Sequence, residues 1–277
     1  MKFFELGEVR PPVDEDFMYF KAMATDATDW KKHHSRKRVR VFSKSTTASS
    51  CKMIKVTASF SDISADVLYD TLHDSVYRSS WDKTTRESFE HCRIGPNSVI
   101  EYYAMKSPFA FANRDFVLNR VWKISGKDYM IINRSVFHKK LPVRKEYVRA
   151  LSFITGYLIT STGASSCDFT YVTQNDPRGD IPAWAINLVA TSVAPSIMKT
   201  LHRAALRYPA WKEQHDPTFM PWRNVAQQSG IVPLIDMADV LSQPDFDRAP
   251  IDESYVSEDA ALKEAEQQRI NNSDNDD

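Results

Sequence analysis

Between Glu87 and Asp176 one β-rich run follows another: Glu87–Ile94, Ser98–Met105, Asp115–Ile124, Tyr129–Val136, Val148–Thr162 and Cys167–Gln174. Gly95-Pro96-Asn97, Gly126-Lys127-Asp128 and Gly163-Ala164 separate them, and these residue types favour tight turns. Turns this short cannot house a crossover, so neighbouring strands must run antiparallel, as a meander. Two connections are longer. Lys106–Arg114 carries Pro108, and Phe137–Tyr147 carries Pro142 with Lys139, Lys140 and Arg144. Long loops on a meander are where function is usually placed.

The flanks supply helices. Asp14–Thr25 predicts a short helix with Phe17, Phe20 and Ala24 inward. Val39–Ser43 and Met53–Phe60 alternate at period two and predict an antiparallel pair. Ser64 caps a helix over Ala65–His73, and Tyr77–Asp82 forms a further helical turn. After the meander, Ile186, Val189, Val193, Ile197, Leu201, Ala204 and Tyr208 recur at steps of three and four. That spacing puts them on one face of a long helix. Asp180 suits its cap, Pro182 its first turn, and Pro209 its end. Pro195, inside it, removes a hydrogen bond and predicts a kink. Helices gathered apart from the strands mean α+β: a sheet of about nine strands closed by one long C-terminal helix. Such a sheet encloses either a packed core or a cavity, and periodicity does not choose between them.

Composition limits the function. Formal charge is zero over 277 residues, which points away from nucleic acid. The zero hides an asymmetry. Asp245–Asp277 holds eleven acids and three bases, so the body is basic and the tail acidic. Three cysteines without a CxxC pair indicate neither a disulfide framework nor a zinc site, and suit a reducing, cytoplasmic setting. The first residues lack the apolar run of a signal peptide, and no stretch is apolar enough to span a membrane. There is no GxSxG, HExxH, P-loop or GxGxxG, and the histidine spacings suit no metal. His73-Asp74-Ser75 has triad letters, but sequence neighbours cannot adopt triad geometry. The expectation is a protein that is not an enzyme and uses no cofactor. The basic run Lys31–Arg40 reads as a solvated loop leading into a strand, a nucleic-acid patch or an anionic-lipid contact.

Arg78 and Asp82 lie four apart, hence on one face of a helical turn, beside Tyr77 and Trp81. On the surface such a pair is worth little. Partly buried, it suits an anionic ligand. Asn113-Arg114-Asp115, between apolar runs, reads as a turn.

These residues, taken in order, resemble a known family. Tyr77-Arg78-Ser79-Ser80-Trp81-Asp82, then Pro108 with Asn113-Arg114-Asp115, then Asp176-Pro177-Arg178-Gly179-Asp180-Ile181-Pro182-Ala183-Trp184 are similar to the START lipid-transfer domain, in its phosphatidylcholine-transfer subfamily. Further matches lie in Val148–Gly163, Ala194-Pro195, Tyr208-Pro209-Ala210-Trp211-Lys212 and the tail motif Ile251-Asp252-Glu253-Ser254. The resemblance implies a helix-grip fold, with the curved sheet around a tunnel for one phospholipid and the long helix as its lid. It implies that Arg78 binds the lipid phosphate and Asp82 pairs with Arg78. It implies an aromatic cage for the headgroup at Tyr103, Phe116 and Phe153, which in the choline-binding member is one Trp and two Tyr. That departure makes phosphatidylethanolamine a second expected ligand beside phosphatidylcholine.

The expected organisation is a lipid-binding domain over 14–215, an extension over 216–243 and an acidic, disordered tail over 244–277. Ser273, followed by acids at +1 and +3, fits an acidophilic kinase. The expected role is transfer of glycerophospholipid through transient contact with membranes. The alternatives are a lipid sensor that signals through its tail and a sterol-type cavity.

Overall fold

The computed structural model describes residues 4–36, 39–47, 49–108, 111–179, 181, 184–185, 194–242, 253 and 256–273. Helix α1 (Asp14–Thr25) opens with three acids in its first turn, which suits the positive end of a helix. The Asp16 carboxylate accepts from the Val13 amide at 2.8 Å and pairs with Arg10. Strands β1 (Lys31–Arg36), β2 (Val39–Lys44) and β3 (Met53–Phe60) follow, then α2 (Ala65–His73) and α3 (Ser75–Trp81). Ser64 caps α2 by accepting from the Val67 amide, as its position in the sequence predicts.

The meander follows as β4 (Thr85–Gly95), β5 (Ser98–Met105), β6 (Arg114–Ser125), β7 (Asp128–Ser135), the short β8 (Phe137–His138) and β9 (Val148–Arg149), β10 (Leu151–Gly163) and β11 (Ser166–Asp176). The main sheet has the order β1-β2-β3-β11-β10-β7-β6-β5-β4, with β9 added parallel to the start of β6. Its consecutive neighbours are antiparallel, and β12 (Val240–Leu241) pairs with β8 in a small second sheet. The long helices after the sheet are α4 (Ala194–Gln214) and α5 (Glu258–Ser273). Among the described residues no helix is long and apolar enough to cross a membrane.

The two faces of the sheet have separate cores. On one face Phe17 and Phe20 of α1 pack on Val121, Met130, Ile132, Ile154, Leu158 and Val172. On the other, Leu68 and Leu72 of α2 and Met198, Leu201 and Ala205 of α4 pack on Val56, Trp122, Ile131, Ile159 and Phe169. Odd and even residues of one strand enter different cores, as the two-residue period of a strand requires. Gly156 of β10 lies where a Cβ would overlap the buried ring of Phe20. Gly156→Ala is therefore expected to destabilise by about 1–3 kcal/mol, read as a lower urea midpoint at unchanged slope, with Phe20→Leu recovering part of the loss. A loss below about 0.5 kcal/mol, the level of an ordinary surface substitution, would mean that the ring yields freely.

Several expectations change. The basic run is a strand rather than a loop over Lys31–Arg36, because an edge strand keeps its lysines in water while pairing one side of its backbone. Pro209 does not end α4, which continues to Gln214. Beyond the proline, tertiary contacts hold the helix. Trp211 packs against Tyr77 with tilted rings, centroids 4.8 Å apart, and Lys212 donates to Asp74 at 3.0 Å. Leu201 is buried as expected, but Ile197 is exposed and Met198 takes the inward place. Ile186, Val189 and Val193 lie outside the described residues. So does whatever bend Pro195 imposes, since it depends on the residues before Ala194. The tail is not disordered throughout: residues 258–273 form α5, and Glu253 is fully buried. The helix holds because Ala261 and Ala265, four apart, pack against Phe111 and Ala185, a small contact that composition does not reveal.

Candidate functional site

Arg78 sits on α3, and α3 is pinned to α4. Asp74 caps α3 by accepting from the Tyr77 amide at 3.0 Å, and the same carboxylate accepts from Lys212 and the Tyr208 hydroxyl. Tyr77 donates its hydroxyl to the Ala204 carbonyl at 2.7 Å. Arg78 is therefore held by a rigid corner of two helices.

The Arg78 guanidinium gives its Nε edge to Asp82 Oδ2 at 3.1 Å. Asp82 is held in turn by the Thr84 amide and hydroxyl, at 3.1 and 2.6 Å. Burial alone would raise the Asp82 carboxyl, but the Arg78 charge and the Thr84 hydroxyl outweigh it and hold it below the usual carboxylate range. Burial alone would likewise lower Arg78, but the fields of Tyr103, Tyr157, Asp82 and Glu101 hold its pKa above the ordinary value. Among the described residues the terminal nitrogens Nη1 and Nη2 of Arg78 make no hydrogen bond. The fork is charged, oriented and open on one side. It borders a narrow cleft of about 20 Å³ that also touches Ser88, Glu101 and Arg120.

A polar row crosses the sheet next to this cleft. Arg120, Asn133, Thr155 and Thr173 lie directly opposite one another on β6, β7, β10 and β11. Arg120 donates to the Leu72 carbonyl at 3.0 Å and lies 3.7 Å from Glu101, which accepts from Ser88. Thr155 and Thr173 share a hydrogen bond of 2.8 Å. This row lies on the sheet face that also carries Trp122, Ile131 and Ile159.

The three aromatics expected as a cage are not all brought together. Tyr103 and Phe116 are opposite on β5 and β6, with ring centroids 6.5 Å apart, and the Arg78 guanidinium lies 5.4 Å over the Tyr103 ring. Phe153 is the extra residue of a bulge between Ser152 and Ile154. Among the described residues no ring contact joins it to Tyr103 or Phe116. Tyr157, four residues further along β10, is the residue whose phenol reaches the field of Arg78, and it stacks on Tyr171 with centroids 5.3 Å apart. The sequence carried this signal only as a tyrosine in the period-two alternation of β10 and β11, at a register that a bulge makes uncountable.

Asn113-Arg114-Asp115 is more than a turn. Arg114 and Asp115 open β6, both buried, each inside an ion pair. His91, Cys92 and His138 bring their ligand atoms within 4.8 Å of one another, which sequence spacing had argued against. A bulge between Glu90 and Cys92 turns adjacent residues toward one side, and β8 brings His138. Burial, the largest influence on both histidines, lowers them, which favours the neutral ring that binds a metal.

Residues 14–212 match the START domain. START domain-containing protein 10 of Homo sapiens is 38% identical over 251 residues, covering 90% of this chain and 86% of that protein. The phosphatidylcholine transfer protein of Homo sapiens is 30% identical over 158 residues, covering 56% of this chain and 73% of that protein. The crystal structure of human STARD10 superposes with a TM-score of 0.79 at 38% identity, over 85% of this chain and 96% of that one. Human StAR-related lipid transfer protein 5, at 16% identity over 70% of this chain and 93% of that one, shares the fold with a TM-score of 0.61. With its antiparallel sheet, its C-terminal helix and its matched residues, the chain belongs to the START domain family.

Proposed function

We propose that this protein binds one glycerophospholipid and carries it between membranes without changing it chemically. The observation that carries the reading is the Arg78 fork, ion-paired through Nε and with both terminal nitrogens left for a phosphate. A phosphate drawn among apolar side chains needs such a partner, because an unpaired buried anion is costly. The relatives' names, a START domain-containing protein and a phosphatidylcholine transfer protein, support the same ligand class. Tyr103, Phe116 and Phe153 offer ring faces to a choline or ethanolamine headgroup, with the Tyr157 phenol close enough to Arg78 to act on its charge. The stretch that holds Ile186, Val189, Val193, Pro195, Ile197 and Leu201 acts as the lid, and this stretch and the Lys106–Arg114 loop open at the membrane. Native mass spectrometry of the purified protein, with identification of the bound lipid, tests the reading. Transfer of phosphatidylcholine between donor and acceptor vesicles tests whether the lipid is delivered. Lipid bound without transfer would instead make the protein a sensor.

In the same reading the tail tunes membrane contact, with Ser273 phosphorylated by an acidophilic kinase in the cytoplasm. Phosphate adds about −1.5 to −2 charge at the end of an acidic segment. Ser273→Glu is expected to weaken binding to anionic vesicles at low salt by up to about fivefold, the worth of one charge at such a surface. Equal binding across a salt series would count against the electrostatic switch.

A further inference from the structure

Arg114 opens β6 at the point where the Lys106–Arg114 loop meets the passage from β11 toward α4. All five of its N–H groups are used. Nε donates to the Pro177 carbonyl at 3.0 Å, Nη1 to the Ala112 carbonyl at 2.6 Å and Nη2 to the Arg178 carbonyl at 2.9 Å. The remaining two donate to the two oxygens of Glu253, at 2.7 and 2.6 Å. Glu253 Oε1 also accepts from the Ala112 amide at 2.9 Å. One arginine thus joins the loop, the passage and the C-terminal segment. Both partners are almost wholly out of solvent, at 4% and 0% exposure of their side chains.

A second observation is independent of these bonds. Gly179 has φ +75°, and a Cβ there would stand 2.6 Å from Glu253 Oε2 and 3.2 Å from Arg114 Nη2. The backbone of the passage is shaped to receive that carboxylate. A third comes from α5. Its Ala261 and Ala265 pack on Phe111 of the loop and on Ala185, with Trp184 alongside. The polar pin and the apolar patch of the C-terminal segment land on the same two pieces of chain.

We infer that the C-terminal segment is a latch on the lipid gate, with Glu253 a positioning residue that locks Phe111–Arg114 to Pro177–Gly179 by neutralising Arg114. This rests on the proposal that these two pieces part to admit lipid. Without Glu253 the Arg114 charge stays buried against carbonyl oxygens alone, and an uncompensated buried charge opposes the closed arrangement. The gate therefore cannot open without either pulling Glu253 out or carrying it along.

The test uses the full chain and two variants. Glu253→Gln keeps the shape and removes the charge. Gly179→Ala keeps every charge and pushes the carboxylate away. In both, amide hydrogen exchange over residues 106–113 and 177–185 is expected to speed up about tenfold while the strands keep wild-type rates. The initial rate of phosphatidylcholine transfer between neutral vesicles is expected to rise, with the amount of lipid carried per protein unchanged. Either variant exchanging at wild-type rates in both segments overturns the latch, as does acceleration spread evenly over the sheet. If the wild-type protein carries no phospholipid, the transfer proposal fails, while the exchange pattern still decides the latch.

Discussion

Arg78→Ala is expected to abolish phospholipid loading and to leave the protein folded. The fold should survive because Arg78 contributes no packing that α3 needs: that helix is held by Asp74, Tyr77 and their partners on α4. Loading should fail because the fork is the cation whose terminal nitrogens are open at the cleft. Two charge-assisted hydrogen bonds to a desolvated phosphate are worth about 3–6 kcal/mol together, so affinity should fall ~100-fold or more. Arg78→Lys should also fail largely, since one ammonium cannot serve Asp82 and a phosphate in the same plane. Asp82→Asn should be milder, because the phosphate still meets a cation. The measurement is extraction of phosphatidylcholine from vesicles, with circular dichroism on each variant. A folded Arg78→Ala protein that loads like wild type would reduce Arg78 to a structural ion-pair residue.

Arg149→Ala is expected to cost about 3–5 kcal/mol of stability, the usual result of breaking a buried ion pair from one side. The Asp115 side chain is fully buried, and Arg149 grips it with Nε and Nη2, each at 2.9 Å. The other donor to that carboxylate is the Tyr102 hydroxyl at 3.0 Å. Arg149 also donates to the carbonyls of Leu141 and Pro142, so it ties the long Phe137–Tyr147 connection to the start of β6. Its loss strands an anion and frees that loop. Asp115→Leu combined with Arg149→Met should recover part of the loss, because no buried charge is then left unpaired, although the Tyr102 hydroxyl loses its acceptor. Urea unfolding of the wild type and the two variants decides it, and a loss below about 1 kcal/mol for Arg149→Ala would show that water reaches Asp115.

Much of the architecture was legible from local pattern. Five of the six runs between Glu87 and Asp176 are one strand each and Val148–Thr162 is two, β9 and β10, since these runs are bounded by turn residues and rich in β-branched or aromatic side chains. The inward face of α1 and the Ser64 cap follow from spacing and from one hydroxyl at the right place. Arg78 and Asp82 could be paired on paper because an i,i+4 step on a helix is a geometric certainty once the helix exists. The site around them was less legible. Phe153 came from the family resemblance alone, and the bulge that it occupies shows only in the pairing of β10 with β11.

Period, caps and turn chemistry act within a few residues, so the sequence by itself determined the strands, the helix faces and the Arg78–Asp82 pair. Arg114 and Glu253 are 139 residues apart, and the three ligand atoms of His91, Cys92 and His138 meet through a bulge and a two-residue strand. Pro209 stays inside a helix because Trp211 and Lys212 are held from elsewhere. Tertiary structure alone decided these. Their free energy comes from burial and charge pairing between segments whose separation in sequence carries no record of their distance in space.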